Sequence, residues 1–159
     1  MDLLVSLDEN YLPQLQVLLA SLCQNCPGET GSVYLLHRSI PQQKLDGLGE
    51  RLKMHGWELC PIPMGESLFS KAPVTKQYPQ EMYYRLLAGH LLPREVNRVL
   101  YLDPDILVIN PLKPLWQMDL QGNLFAAAAH TGKTELANSL NRVRLGTERD
   151  YYNSGVLLM

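Results

Sequence analysis

The sequence of 159 residues predicts an α/β protein with a mostly parallel sheet, on three observations. Short apolar runs recur along the chain, and they alternate with longer segments in which leucines are spaced by three or four. Polar or proline-containing corners follow several of the predicted strands. Strands that alternate with amphipathic helices build βαβ units, and such sheets bind ligands at the carboxyl ends of their strands.

The composition is that of one ordinary globular domain, residues 1–159. Hydrophobic residues make up 46% and charged residues 19% of the chain. The net charge is −2 and no Lys/Arg-rich run is present, so the chain lacks the positive charge that is typical of nucleic-acid-binding proteins. No apolar stretch approaches the roughly 20 residues that span a bilayer. The N-terminus lacks the features of a signal peptide, so a cytoplasmic location is predicted.

Leu3 to Leu7 is an apolar run that predicts the first strand. The polar corner of residues 8–11 follows, and Pro13 is acceptable in the first turn of the next helix. The apolar face of that helix is marked by leucines at positions 12, 15, 18, 19 and 22. Strand, corner and helix form half of a βαβ unit.

Cys23 and Cys26 form a Cys-x-x-Cys at the far end of this helix. There the helix dipole opposes thiolate formation, whereas redox motifs of this spacing open a helix. No second pair completes a zinc site, and three cysteines cannot all form disulfides. The two residues are interpreted as small side chains that close the helix.

The next elements continue the alternation. Ser32–His37 and Gly56–Ile62 are predicted strands, and a helix after Pro41 runs between them to about Met54. Pro61 and Pro63 indicate that the second of these strands lies near an edge or ends early, because proline donates no ladder hydrogen bond.

Residues 63–79 contain three prolines and predict an irregular connection, and long loops in compact domains are often functional. Glu81 to Leu92 predicts a helix with Arg85 on it. Arg85 is either a surface residue or a side chain that faces the acidic corner after the next strand. The apolar surface of the helix is expected from Tyr83, Leu86, Leu87, Ala88 and Leu91.

Arg98 to Leu102 predicts a buried strand that ends at Asp103-Pro104-Asp105. Sheet pairing is expected to stop at the proline, which leaves both carboxylates at the mouth of the sheet. A hard divalent cation such as Mg²⁺ or Mn²⁺ would relieve their repulsion. Asp-Pro is also a common turn opener, so the motif alone leaves both interpretations open.

The remainder of the chain repeats the pattern. The apolar run Leu107–Ile109 and a helical turn around residues 114–116 precede a strand predicted at Asn123–Ala129 and a helix at Thr134–Arg144. Val156–Met159 predicts a core strand that stops at the last residue. The chain is therefore expected to be the front part of a longer protein.

Asn153-Ser154-Gly155 predicts a turn before that strand. Asn153 offers a donor and an acceptor, and Gly155 permits close approach of a backbone or ligand. Neither a Gly-x-Gly-x-x-Gly after the first strand nor a Gly-Lys-Ser/Thr loop is present, which disfavours dinucleotide oxidoreductases and P-loop enzymes.

Four stretches together resemble the family 8 glycosyltransferases, namely Ser6–Tyr11, Tyr83–Leu86, Val99–Pro111 and Asn153–Leu158. These retaining enzymes include the lipopolysaccharide galactosyl- and glucosyltransferases and the glycogenins. The resemblance spans the whole chain and implies a GT-A fold, an α/β/α sandwich with a Rossmann-like sheet that binds a UDP-sugar donor.

The resemblance also implies roles for residues of the first corner. Ser6, Asp8, Asn10 and Tyr11 would line the uridine pocket. Asp8 would accept a hydrogen bond from the uracil N3–H, and Tyr11 would stack on the ring.

The resemblance assigns the diphosphate and the sugar to later residues. Asp103 and Asp105 would hold Mn²⁺ or Mg²⁺ against the diphosphate, with Asp103 also near the ribose. Arg85 and Asn153 would contact the donor sugar region. A cation at this place would stabilise the charge that grows on the departing UDP.

Three departures limit what the resemblance implies. The strand that ends at His130 lacks the acidic residue that relatives often carry there. A later histidine motif for the metal and the region that shapes the acceptor site are absent from these residues. The chain is therefore expected to bind nucleotide weakly and to transfer sugar inefficiently.

The donated sugar, galactose or glucose, stays open, as do the saccharide or glycolipid acceptor and the oligomeric state. Contact with a membrane surface would need a segment outside these residues.

Two alternatives to a glycosyltransferase remain. Sugar-phosphate nucleotidyltransferases have a related fold, but they usually open with a glycine- and arginine-rich loop, which residues 7–10 do not match. A non-catalytic or degenerate assembly domain is the other alternative, and it would show no metal-dependent affinity for nucleotide.

Overall fold

The computed structural model describes residues 1–65, 68–69, 71–73, 80–129, 135–149 and 152–159, which contain one six-stranded sheet. The strands are β1 (Asp2–Ser6), β2 (Gly31–His37), β3 (Trp57–Pro63), β4 (Leu100–Leu102), β5 (Ala126–Ala129) and β6 (Tyr152–Leu158). The helices are α1 (Leu12–Asn25), α2 (Gln42–Lys53), α3 (Ala88–Leu91), α4 (Lys113–Trp116) and α5 (Glu135–Leu145). Two 3₁₀ helices, Glu9–Tyr11 and Gln80–Leu87, precede α1 and α3.

The sheet order is β3-β2-β1-β4-β6-β5. Strands β1 to β4 run parallel, and β6 runs antiparallel to both of its neighbours. The chain steps outward from β1 to β3 and then returns to the other side of β1 with β4. The strand order therefore reverses between β1 and β4, and in open α/β sheets a crevice for ligands lies at such a point.

Helices cover both faces of the sheet. Successive side chains of β1 point to opposite faces, and Leu3 packs in one cluster with leucines of α1 and α2. Leu4 packs on the other face with Tyr84 of the second 3₁₀ helix and Ala88 of α3. This arrangement confirms the predicted α/β/α sandwich with a mostly parallel sheet. The predicted edge position of β3 is confirmed too.

The leucine stripe predicted for α1 is confirmed, because its five leucines are buried. Cys23 and Cys26 lie at the last turn, as predicted. Burial raises the pKa of the Cys23 thiol, and the neighbouring Cys26 adds to that rise. Cys26 Sγ accepts a hydrogen bond from the Leu112 N–H at 3.4 Å. A raised thiol pKa disfavours the reactive thiolate, in agreement with the structural interpretation of this pair.

The segment predicted as one helix from Glu81 to Leu92 has a different geometry. Residues 80–87 form a 3₁₀ helix, and residues 88–91 form the short α3. Three residues per turn bring positions i and i+3 onto one line. Glu81 and Tyr84 are therefore both buried, whereas Leu86 is 69% exposed. The apolar face predicted for this helix is wrong at Leu86.

The strands near the end of the chain have different bounds from the predicted ones. β5 holds only the last four residues of the strand predicted at Asn123–Ala129. β6 begins at Tyr152, so Asn153-Ser154-Gly155 lies within a strand rather than in a turn before one. Pairing with β4 extends beyond the regular ladder, because the Asp103 N–H donates to the Gly155 carbonyl at 2.7 Å.

Helix α1 also holds the segment that follows β4. The Val108 N–H donates to Ser21 Oγ at 3.0 Å, and the Val108 carbonyl accepts from Asn25 Nδ2 at 2.9 Å. Both backbone groups of Val108 are thus satisfied by side chains of α1. These contacts fix the chain just beyond Asp105.

Some predicted features lie outside the described residues. They are residues 66–67, 70 and 74–79 of the irregular connection, His130, and Thr134 at the start of the predicted helix. Within the described part of the chain, no helix has the length and hydropathy needed to cross a membrane.

Candidate active site

A cleft opens at the carboxyl edge of the sheet, where the strand order reverses between β1 and β4. Its volume is about 210 Å³. The corner after β1, the second 3₁₀ helix and the corner after β4 form its walls, with the start of β6 beside them. The lining residues are Ser6, Leu7, Asp8, Tyr11, Glu81, Met82, Arg85, Asp103, Pro104, Asp105 and Ser154.

Asp8 shapes the first corner by capping the short 3₁₀ helix after β1. Its Oδ1 accepts hydrogen bonds from the backbone N–H groups of Asn10 and Tyr11 at 2.9 and 3.3 Å. Its Oδ2 accepts one from Asn10 Nδ2 at 3.0 Å. Such a cap satisfies N–H groups that the start of a helix leaves unpaired. Tyr11, which is 40% exposed, then borders the cleft.

Asp103-Pro104-Asp105 forms a tight turn in which the Ile106 N–H donates to the Asp103 carbonyl at 3.3 Å. β4 ends at Leu102, as the proline predicted. The motif therefore forms a turn, and this turn leaves carboxylate oxygens for a cation, so the two interpretations are compatible. Asp105 is exposed, and it forms no hydrogen bond or ion pair with the residues that the structure describes.

Asp103 is held through one carboxylate oxygen. Oδ1 accepts a hydrogen bond from Tyr101 Oη at 2.7 Å and lies 2.9 Å from Arg85 Nη2. Tyr101 Oη also lies 3.2 Å from Ser6 Oγ, which connects β4 to β1. Burial is the largest cause that raises the pKa of Tyr101; the Arg85 charge opposes the rise and Asp103 adds to it. A protonated Tyr101 can donate to Asp103.

The Arg85 side chain is only 10% exposed, and each of its guanidinium nitrogens has a partner. Nε donates to the Met82 carbonyl at 2.8 Å, and Nη1 donates to the Ser154 carbonyl at 2.6 Å. Nη2 pairs with Asp103. The guanidinium carbon also lies 4.3 Å from the centroid of the Tyr101 ring, at cation–π distance. Arg85 therefore joins the second 3₁₀ helix to β4 and β6.

The start of β6 leaves room for Asp103. The Gly155 N–H donates to Asn153 Oδ1 at 2.7 Å, and the Gly155 carbonyl accepts from the Asp103 N–H. A Cβ at position 155 would lie 2.6 Å from Asp103 Oδ2 and 3.0 Å from Asn153 Oδ1. Glycine at 155 is therefore required by the position of the Asp103 carboxylate.

Asp103 Oδ2 and the Asp105 carboxylate are the oxygens of this turn that remain for a cation. Mg²⁺ and Mn²⁺ take such hard oxygen ligands, often one or two carboxylates together with substrate phosphates. Within the described ranges, no three His, Cys, Asp or Glu side chains are grouped as a metal site. Two carboxylates are a ligand set that Mg²⁺ or Mn²⁺ can share with substrate phosphates.

The chain matches the family described as glycosyl transferase family 8 over residues 2–159. The chain belongs to this family. The predicted resemblance is confirmed, and with it the GT-A type of sandwich, which is also the fold of the galactosyltransferase LgtC. The crystal structure of LgtC in complex with donor and acceptor sugar analogues has a TM-score of 0.88 at 26% identity, and the match covers 100% of this chain and 57% of LgtC.

Curated relatives are similar over nearly the whole chain. General stress protein A of Bacillus subtilis is 25% identical over 96% of this chain and 53% of its own length. Lipopolysaccharide 1,3-galactosyltransferase of Salmonella typhimurium is 23% identical over 96% of this chain and 46% of its own length. The chain thus spans about half the length of these curated relatives.

In this family 8 domain, six of the eight predicted site residues line the cleft: Ser6, Asp8, Tyr11, Arg85, Asp103 and Asp105. Asn10 and Asn153 lie beside it, where their side chains bond to Asp8 and to the Gly155 backbone. The roles of all eight residues toward a ligand stay predictions.

Sequence reasoning missed Tyr101 and Glu81. Tyr101 could have been found, because it lies two residues before Asp103 on an extended strand and so shares its face. Glu81 could not be predicted to be buried, because the leucine spacing does not indicate that its helix has three residues per turn.

Replacement of Gly155 by alanine should lower the free energy of unfolding by about 1–3 kcal/mol, because the new methyl group overlaps the fixed Asp103 carboxylate. Urea denaturation measures this cost. Gly89→Ala is the matched control, since nothing lies within 4 Å of its added Cβ, and it should be neutral or stabilising. In an Asp103→Ala background the cost at 155 should shrink; an unchanged cost would contradict this account.

The raised pKa of Tyr101 predicts a pH-dependent contribution to stability. Below pH about 10 the tyrosine is protonated in both states; above it the unfolded chain ionises first, so native stability falls. The unmodified protein should therefore lose free energy of unfolding relative to Tyr101→Phe between pH 9 and 11, by up to about 1.4 kcal/mol per pH unit. Denaturation at each pH measures this, with Tyr152→Phe, an exposed position, as control. A difference in free energy of unfolding that does not change with pH would contradict the burial of the Tyr101 hydroxyl in the folded protein.

Proposed function

We propose that this family 8 chain forms the donor site of a metal-dependent hexosyltransferase. The donor is a UDP-sugar, and galactose or glucose is transferred with retention to a saccharide or lipopolysaccharide-type acceptor. One observation carries the proposal: Asp103 Oδ2 and Asp105, which lack donors from the described residues, line the same cleft as Asp8 and Tyr11. The similarity to LgtC and to the Salmonella galactosyltransferase supports the donor class.

Asp103 and Asp105 would hold Mn²⁺ or Mg²⁺ against the diphosphate. A cation bound there stabilises the negative charge that develops on UDP as the bond to the sugar breaks. Tyr101 and Arg85 fix the Asp103 carboxylate through Oδ1. The other oxygen is thus positioned before any ligand arrives, which lowers the cost of ordering the site on binding.

The corner after β1 would bind the uridine. Ser6, Asp8 and Tyr11 line the cleft, and Asn10 supports Asp8 from beside it. The half-exposed ring of Tyr11 offers a face on which a base can stack. This side of the site is therefore assigned to the nucleoside.

Arg85 and Asn153 would act on the donor sugar side. Arg85 is held between Asp103 and Ser154, so its position is fixed relative to the proposed cation site. Asn153 lies at the start of β6, beyond the aspartates when viewed from β1. The acceptor and any contact with a membrane surface rest on the family resemblance, and the cytoplasmic location rests on the sequence of the N-terminus; all three stay predictions.

A thermal shift with UDP, first with Mn²⁺ and then with EDTA, tests the donor site. At a ligand concentration ten times the Kd, binding should stabilise the chain by roughly 1.4 kcal/mol, which raises the Tm by about 3–5 °C for a domain of this size. The shift should vanish in EDTA. Parallel runs with UDP-galactose and UDP-glucose then rank the two sugars.

Asp105→Asn should abolish the metal-dependent shift, because it removes a charged ligand of the proposed cation. Asp46→Asn is the matched control: Asp46 is an exposed aspartate of α2 that accepts a hydrogen bond from Gln42. A thermal shift of the same size with Mn²⁺ and with EDTA would contradict the proposed metal dependence. No nucleotide binding at all would favour a non-catalytic assembly domain.

A further inference from the structure

One oxygen of the Asp103 carboxylate is fully used by groups of the protein itself. Oδ1 accepts a hydrogen bond from Tyr101 Oη at 2.7 Å and lies 2.9 Å from Arg85 Nη2. An ionised carboxylate offers about four lone-pair positions, two on each oxygen. Two donors therefore use the capacity of Oδ1, and Oδ2 is the oxygen of Asp103 that remains for a cation.

The hydroxyl group of Tyr101 is committed to Asp103. Its single proton goes to the carboxylate, which only accepts, so the contact of 3.2 Å with Ser6 Oγ is a hydrogen bond that Ser6 donates. The tyrosine is fully buried, and its ring packs in the cluster that contains Leu4 and Tyr84. Ring and hydroxyl are both held in place, so Tyr101 Oη covers Oδ1 before any cation arrives.

The Asp103 carboxylate is also prevented from turning. The Asp103 N–H donates to the Gly155 carbonyl at 2.7 Å, which fixes the backbone. Oδ2 lies so close to Gly155 that a Cβ there would be 2.6 Å away. A rotation that offered both oxygens to one cation would break the contacts with Tyr101 and Arg85. Asp103 thus presents a single oxygen in a fixed position.

Divalent cations differ in the number of carboxylate oxygens that they take. Ca²⁺ binds roughly six to eight oxygens at about 2.3–2.6 Å, and these include both oxygens of one carboxylate in many sites. Mg²⁺ needs near-octahedral geometry at about 2.0–2.1 Å and is held by one or two carboxylates together with substrate phosphates. Mn²⁺ suits the same kinds of ligand. A carboxylate that is limited to one oxygen therefore suits the smaller ions and reduces the ligands available to Ca²⁺.

We propose that the Tyr101 hydroxyl group selects the cation of this site: it limits Asp103 to coordination through one oxygen, which favours Mn²⁺ or Mg²⁺ and disfavours Ca²⁺. This inference rests on the proposed function and adds to it a positioning residue that does not itself bind the cation. Arg85 is the other donor to Oδ1, and its positive charge opposes a cation on that side. Tyr101 is the cleaner residue to test, because its hydroxyl group carries no charge.

The test is calorimetric titration of the protein with UDP, at a cation concentration that converts all the UDP to its metal complex. The unmodified protein should bind UDP at least about tenfold more tightly with Mn²⁺ or Mg²⁺ than with Ca²⁺. Tyr101→Phe keeps the buried ring and removes the hydroxyl group. With Mn²⁺ it should weaken UDP binding about tenfold, the usual effect of removing a group that orients a metal ligand. With Ca²⁺ the loss should be smaller or absent, so the ratio of the two affinities should fall.

Tyr34→Phe is the matched control. Tyr34 is a buried tyrosine of the same cluster, but it lies on β2 and does not line the cleft. This variant should leave the UDP affinity unchanged with either cation. A general loss of packing in Tyr101→Phe would lower both affinities by the same factor. The ratio of affinities therefore separates a positioning role from a purely structural one.

Equal UDP affinity of the unmodified protein with Mn²⁺ and with Ca²⁺ would overturn the inference, and so would a ratio that Tyr101→Phe leaves unchanged. In both cases UDP binding would still require a divalent cation, and the proposed function would stand. UDP binding that is equally tight in EDTA, or no UDP binding to the unmodified protein, would overturn the proposed function and this inference with it.

Discussion

The site depends on the ion pair between Arg85 and Asp103. The Arg85 side chain is only 10% exposed and that of Asp103 is 32% exposed, and the pair is held in place by further hydrogen bonds from Tyr101 and to the Met82 and Ser154 carbonyls. The pair connects the second 3₁₀ helix to the corner after β4, and the Ser154 carbonyl brings β6 into the same unit. Tyr101 adds β1 through Ser6. Loss of Asp103 would leave the buried Arg85 charge without its carboxylate, so this part of the cleft depends on the contact.

The same cleft is negative, because four carboxylates line it, whereas two guanidinium groups, Arg85 at Asp103 and Arg38 at Glu81, offset them. The carboxylates are Asp8, Glu81, Asp103 and Asp105. Such a wall repels a free diphosphate and attracts a divalent cation. Cation and nucleotide would therefore bind cooperatively, each removing the repulsion that opposes the other. Under the proposed function, this negative wall would favour the metal complex of the nucleotide over the nucleotide alone.

Much of this architecture was readable from the sequence, since it depends on patterns that local chemistry imposes. The leucine spacing of α1, the proline that ends β4 and the apolar runs of the parallel strands all gave the correct elements. The three-residue period of the second 3₁₀ helix could not be predicted from its apolar residues, although this geometry buries Tyr84 in the cluster on that face of the sheet. The strand at Asn153 was misread as a turn, because its pairing partner Asp103 lies far away in the sequence.

The antiparallel strand β6 lies between β4 and β5, although it comes after both in the chain. During synthesis the ribosome releases β1 to β5 before β6. The Ser154 carbonyl, which accepts a hydrogen bond from Arg85 Nη1, lies 69 residues after Arg85 in the chain. Until β6 inserts, β4 presents an open edge, and β5 has no neighbour in the described sheet. Pairings of such long sequence separation form late in folding. The side of the cleft that β6 contributes is therefore completed after the sides formed by β1 and β4, and under the proposed function ligand binding would also report that β6 is in place.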